Sequence, residues 1–288
     1  SGPFSTALGL NTTASGYYSM AMNFFFFFSG NSSTAMGYNS TASNDNSVAM
    51  GYSSISSGSN SISMGYGTNA SGNSSVAMGY STIASGFTST AIGIYSTASG
   101  YASTALGSYV STSGFTGAFA LGDNSTTTVM PSFVANGFRS RFAGGYRLFT
   151  SSDVTIGCFL NAGANAWAPL SDVRLKENFE PVDGELFLQK IAKMPLTTWN
   201  YKTQDAATFR HYGPMAQDFF AAFGKDSYGT IGCDTLINQQ DFLGVNLIAI
   251  QALEKRTQKI EQLEKENTEL RNMLLQLRKE IDELKFKK

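Results

Sequence analysis

Charge is nearly absent from the first two fifths of this chain. Between Ser1 and Gly122 the single charged side chain is Asp45, although all 288 residues together hold 20 Lys and Arg and 21 Asp and Glu. The net charge of −1 gives no footing for nucleic acid or another polyanion as partner. Cysteine is scarce too. Cys158 and Cys233 form no CxxC pair and have no further ligands near them in sequence, so they read as free buried thiols and imply neither a metal nor a redox compartment. No apolar run approaches the roughly 18 residues of a membrane span. The longest aromatic run, Phe24 to Phe28, is far shorter. No phosphate-binding loop or hydrolase signature is present, and nothing implies a cofactor. Ser1-Gly2-Pro3-Phe4 is neither a start methionine nor a signal peptide, so the chain reads as a fragment or a processed product.

What is present is repetition. Residues 5–116 divide without gaps into eight units of 14, starting at Ser5, Ser19, Ser33, Ser47, Ser61, Ser75, Ser89 and Ser103. The third position is Ala except at Ser63, and the fourth is Leu8, Met22, Met36, Met50, Met64, Met78, Ile92 or Leu106. The fifth is Gly except at Asn23, and the twelfth is Gly except at Asn44. A degenerate ninth start is Ala118-Phe119-Ala120-Leu121-Gly122. Two glycines seven residues apart predict two short strands and two tight turns per unit, with Gly supplying positive φ. One unit cannot bury its apolar side alone. Stacked units form a solenoid with an expected core of Ala and Met/Leu/Ile. At about 4.8 Å per coil, eight coils make a rod of about 40 Å. A disordered Ser/Gly linker is the competing reading, but a linker has no reason to keep Met in phase. No repeat position is uniformly Thr, which argues against an ice-binding array.

The units, best seen in Ser75-Val76-Ala77-Met78-Gly79-Tyr80 and Ala84-Ser85-Gly86, resemble the head repeats of trimeric autotransporter adhesins, the YadA-like left-handed β-roll. The resemblance covers about residues 5–122 and implies a homotrimer in which each coil buries one face against its neighbours. The second unit departs from it. Asn23 replaces Gly, and Phe24 to Phe28 replace small polar residues, which implies an exposed aromatic patch or a local distortion.

Residues 123–170 read as a β-rich adaptor. Phe138 to Phe149 alternates as strand–turn–strand with Gly144-Gly145 at the turn, and Asp153 to Gly157 suggests another short strand. Arg139, Arg141 and Arg147 either bind an anion or, as is commoner, pair with carboxylates or lie in water.

The chemistry-bearing segment is Ser171-Asp172-Val173-Arg174-Leu175-Lys176-Glu177-Asn178. It sets a hydroxyl and an amine five residues apart. A Ser/Lys dyad works when the Lys is neutral and takes the hydroxyl proton, which desolvation or nearby positive charge favours. Arg174 offers such a charge and Asp172 opposes it. Spacing alone is a weak signal. The segment, however, resembles the hallmark of the intramolecular-chaperone autoprocessing domain of phage tail spikes and tail fibres (the endosialidase type). Further matching blocks are Trp199-Asn200-Tyr201, Arg210 to Asp218 and Gly244 to Leu253. The resemblance implies a single-turnover serine peptidase that cuts itself between Leu170 and Ser171, with Ser171 as nucleophile and Lys176 as general base. Arg174, Asn178 and His211 are supporting candidates. His211, the sole His, reads more readily as a structural residue bonded to backbone. Gly213-Pro214 predicts a helix start, with Gly224 at its end and Met215, Phe219 and Phe223 on its core face.

Ile260, Leu263, Asn267, Leu270, Leu274, Leu277, Ile281 and Leu284 make a heptad seam with one polar a position. That seam does not itself choose three strands. A lone Asn at a is common in dimers, so the trimer rests on the resemblance.

The expected architecture is therefore mainly β-solenoid, followed by a small α+β domain and a C-terminal coiled-coil helix. The expected domains are 1–122 head repeats, 123–170 adaptor, 171–240 chaperone and 241–288 long helix. The expected function is a trimeric surface or virion fibre, extracellular on a bacterium or a phage, whose C-terminal domain assembles the trimer and then cuts itself off. Its outside partner would be an unknown host-surface receptor, glycan or protein. The alternative keeps the same domain as a permanent trimerisation anchor.

Overall fold

A computed structural model describes residues 2–24 and 30–286. The chain divides into two compact units, Ser1–Ala168 and Pro169–Lys288.

The first unit is a solenoid. Strands such as Val48–Tyr52, Ile62–Tyr66 and Val76–Tyr80 stack in parallel, and short strands such as Ile55–Ser56, Asn69–Ala70 and Ile83–Ala84 form a second parallel sheet. Register advances by one repeat per coil, so Ser63 pairs with Ala77, Met64 with Met78 and Gly65 with Gly79. The coil geometry outlasts the repeat sequence. Phe119–Gly122 pairs in parallel with Phe138–Arg141, and Val110–Ser111 pairs in parallel with Met130–Pro131.

The interior is made of very small side chains. Ala77, Ala84, Ala91, Ala98 and Ala105 are fully buried, as are Ser75, Thr82 and Ser89. The expected Met contribution is a correction. In a strand, neighbouring side chains point to opposite faces, so Ala and the Met that follows it cannot both point inward. Ala77 is buried, while Met78 is only half-buried and Ile92 is exposed. Ser63, where Ala is the rule, is accommodated by a polar chain: its hydroxyl lies 2.8 Å from Thr68 Oγ1, which donates to Ser54 Oγ, which donates to the Gly65 carbonyl.

The glycines divide by role. At the fifth position φ is positive, for example 132° at Gly65 and 119° at Gly79. Apart from Gly114 (φ 80°), it is not at the twelfth. There a side chain is excluded by the next coil, since a Cβ at Gly58 would lie 2.0 Å from the Gly72 carbonyl oxygen. The left-handed turns fall instead on the seventh and fourteenth positions, such as Asn39 (φ 53°), Ser53 (50°), Asn46 (55°) and Asn60 (57°). Asn tolerates this region better than most residues. Of the Phe run, Phe24 keeps register opposite Tyr38, and Phe25 to Phe28 lie outside the described residues.

The expected Phe138–Phe149 hairpin does not form. Its first half joins the solenoid sheet, and Gly145–Phe149 pairs antiparallel with Gly157–Asn161. Asp153 to Ile156 is the loop between those strands rather than a strand, with Asp153 accepting bonds from Thr155. Of the three arginines, Arg141 pairs with a carboxylate, its Nε 3.2 Å from Asp123, whereas Arg139 lies 4.0 Å over the Phe133 ring and Arg147 5.3 Å over the Phe159 ring. Cys158 is half-buried and Cys233 is exposed, against the expectation that both are buried.

Among the described residues the second unit has three α-helices. Helix α1 (Gly184–Lys193) is capped by Asp183, whose carboxylate accepts from Glu185 N and Leu186 N. Helix α2 (Ala216–Phe223) begins after Pro214, with Met215 as N-cap and Gly224 as C-cap. Helix α3 spans Gln239–Phe286. The core is Phe219, Phe223 and Val245, with Phe187, Ile191, Ile237 and Phe242 packed against it. Met215 is exposed and lies off that core face. The approach of α1 to α3 needs Gly184, where a Cβ would lie 2.9 Å from Ala252 Cβ. Arg256 pairs with Glu185 across the same two helices. Beyond that contact the seam residues Ile260, Leu263, Leu270, Leu274 and Leu277 are exposed in the single chain. No helix among the described residues is long and apolar enough to cross a membrane.

Candidate functional site

The second unit opens with an irregular segment. The boundary between the units lies after Ala168, two residues before the Leu170–Ser171 bond. Leu170 is half-buried and Ser171 is exposed. Asp172 N-caps a single 3₁₀ turn, Val173–Leu175, its side chain accepting from Arg174 N at 2.9 Å. The turn reverses the chain enough for Lys176 to fold back. Its Nζ lies 2.8 Å from Ser171 Oγ, within direct proton-transfer range. A second group reaches the same oxygen: Gln240 Nε2, in the first turn of α3, lies 3.5 Å away.

The charged neighbours cancel. Arg174 turns its guanidinium onto Asp172, with Nε 3.0 Å from each carboxylate oxygen. That bond holds the Asp172 carboxyl below its ordinary range and pushes Arg174 up. Arg174 is therefore committed to Asp172 and is not positioned as a free charge beside Lys176.

The other supporting candidates lie apart from the dyad's hydrogen bonds. Asn178 sits in the left-handed region at φ 58° and is exposed. His211 belongs to a two-stranded sheet, opposite Trp199. Its ring stacks on Trp199 with centroids 4.6 Å apart, and its Nε2 lies 3.1 Å from Gln204 Oε1. Its hydrogen-bond partner is a side chain rather than the expected backbone. Gln240 was not singled out by sequence, since no local pattern joins residues 69 apart.

Ser171 Oγ and Lys176 Nζ lie within hydrogen-bond distance of each other beside the peptide bond that carries Ser171's own nitrogen. Both are exposed in the single chain. Desolvation favours the neutral form of an amine.

Two family models match the chain. Residues 171–226 match the family described as "Chaperone of endosialidase", a peptidase family by title. Residues 1–22, 29–54, 56–82 and 84–109 match the "YadA head domain repeat". A search of curated proteins finds no match to the chain. The chain thus joins YadA-type head repeats in a β-solenoid to a chaperone-of-endosialidase domain, the combination its sequence motifs resemble.

Proposed function

We propose that this chain is a trimeric fibre whose C-terminal domain aligns three copies for folding and then releases them by cutting between Leu170 and Ser171. The observation that carries the reading is the 2.8 Å approach of Lys176 Nζ to Ser171 Oγ at the start of the segment that matches the endosialidase chaperone. The half-exposed Met side of the solenoid and the exposed heptad seam of α3 supply two apolar surfaces for other copies to cover.

In the proposed reaction Ser171 Oγ gives its proton to neutral Lys176 and bonds to the Leu170 carbonyl carbon. The carbon–nitrogen bond to Ser171 breaks, and its nitrogen takes a proton back from Lys176. Water then hydrolyses the resulting ester, leaving a carboxylate on Leu170 and a free amine on Ser171. Lys176 must be neutral for the first step, which couples the chemistry to burial by assembly. The product is an extracellular fibre, on a cell surface or a virion, with binding as its remaining activity.

Mass analysis of the natively folded protein tests this. Two fragments that meet at Leu170/Ser171 are expected. A single species near 30.9 kDa would instead make the domain a permanent anchor.

A further inference from the structure

The Ser171 hydroxyl is approached by two groups, and the proposed reaction has so far used one. Oγ carries one proton and two lone pairs. As the proton passes to Lys176, negative charge develops on the oxygen, and it passes to the Leu170 carbonyl oxygen once the lone pair has bonded to the carbonyl carbon. A donor that cannot itself take up a proton lowers the cost of that charge. Gln240 Nε2, 3.5 Å away, is such a donor.

Its placement is set by the folded domain and not by the 171–178 segment. Gln240 lies in the first turn of α3, where its backbone N–H donates to Asn238 Oδ1 at 2.8 Å. Ile237 and Phe242, on either side, pack against the core of Phe219, Phe223 and Val245. Phe242 N donates to the Asn238 carbonyl at 3.0 Å. The amide is therefore carried by the anchored end of the same helix whose far end bears the heptad seam.

We propose that Gln240 is a further catalytic residue: it orients Ser171 Oγ toward the Leu170 carbonyl and stabilises the oxygen as its proton leaves. This rests on the autoprocessing reading above. It also ties cleavage to a folded α3, since an unanchored helix start would take the second donor away.

The test follows cleavage over time after cell-free synthesis of the full chain, with Ser171→Ala as the uncut control and assembly checked by light scattering. Gln240→Met keeps the length and removes the donor. It should slow cleavage roughly 10- to 100-fold, the worth of one hydrogen bond to a charged oxygen, with no change in the shape of the pH profile. Gln240→Glu sets a carboxylate near the Lys176 ammonium and favours its charged form. Its profile should move to higher pH, and this remains readable if Gln240→Met fails to assemble. Assembled Gln240→Met cut at the wild-type rate, or Gln240→Glu with an unmoved profile, overturns the role of Gln240 and leaves the dyad standing. A wild-type chain that stays whole overturns both.

Discussion

Lys176 Nζ rests 2.8 Å from Ser171 Oγ because one 3₁₀ turn, Val173–Leu175, brings back a residue five positions on. The two groups are thus brought together by local chain geometry. Ser171→Ala removes the attacking oxygen, and Lys176→Met removes the base at similar length. Ser171→Ala should abolish cleavage, and Lys176→Met should slow it by on the order of 100-fold or more. Both residues are exposed, so neither change should alter the unfolding midpoint by much. Mass spectrometry and thermal unfolding of the three proteins check this. Cleavage of the Lys176 variant at the wild-type rate would remove Lys176 from the mechanism.

Exposure of the pair makes assembly the expected trigger. Leu270 and Leu277 lie on the exposed seam of α3, far along the helix from Gln240. Replacing both with Asp puts charge into that seam and should leave a monomer that is not cut. Size-exclusion chromatography with light scattering, read beside the mass of the product, decides it. Efficient cleavage in a proven monomer would separate the chemistry from assembly.

The repeat is legible because it is a local pattern, whereas the Ser171/Lys176 pair is proposed from the resemblance, since its five-residue spacing alone is a weak signal. The 14-residue phase forces stacking whatever the details of each turn. Several expectations fail for physical reasons that are general. Met was placed inside although it follows an inward Ala, and strand alternation forbids that. Positive φ was assigned to both glycines of each unit, whereas Gly58 is required by the approach of Gly72's carbonyl and Asn60 takes the left-handed turn. The Phe138–Phe149 hairpin failed because pairing with the preceding coil won over the nearer partner. Gln240 was invisible because its approach to Ser171 is made by tertiary packing.

Glycines of different roles should respond differently to substitution. At Gly79, φ is 119° and a Cβ would lie 2.1 Å from the Gly93 carbonyl oxygen, so Gly79→Ala meets both strain and a backbone clash. It should cost at least about 1–3 kcal/mol. Gly67 has φ 60°, and the nearest atom to its added Cβ is Ser81 Oγ at 3.5 Å. Asn39, Ser53 and Ser81 occupy the same repeat position with similar φ. Gly67→Asn should therefore be neutral or stabilising by up to ~1 kcal/mol, through a less flexible unfolded chain. Guanidinium unfolding of both variants gives the comparison, and equal destabilisation would contradict the division of roles.

Asp123 should make the end of the solenoid acid-sensitive. Its carboxylate accepts from Ala143 N at 2.6 Å, from Ser125 Oγ at 2.7 Å and from Arg141 Nε at 3.2 Å. Those bonds, the Ala143 amide foremost, lower its pKa to about 2 from an ordinary 3.8. A depressed carboxyl contributes stability above its unfolded pKa, and that contribution is lost as pH falls through the folded value. The melting temperature of wild type should exceed that of Asp123→Asn at neutral pH. The gap should narrow between about pH 4 and pH 2. A gap that stays constant over that range would show that Asp123 acts without its charge.

Release should leave a fibre that is stable but cannot rebuild itself. The solenoid closes its backbone hydrogen bonds coil to coil, as from Val76 N to the Ser89 carbonyl at 2.9 Å, and its Ala core is contained in the first unit. Residues 1–170 should therefore remain folded and trimeric after cleavage. Refolding is a different matter. Parallel strands have to find a register over many coils, and chains almost without charge associate wrongly while they wait. In the released fragment the element that would align three chains is gone, so its persistence is kinetic, held by a high barrier to unfolding. Full-length Ser171→Ala keeps that element covalently attached. Both proteins should be unfolded in guanidinium, diluted, and compared for recovered trimer by light scattering. The Ser171→Ala protein should recover several-fold more. Equal recovery would make the C-terminal domain a passive anchor, because an aligning element that is needed for folding must change the yield when it is removed.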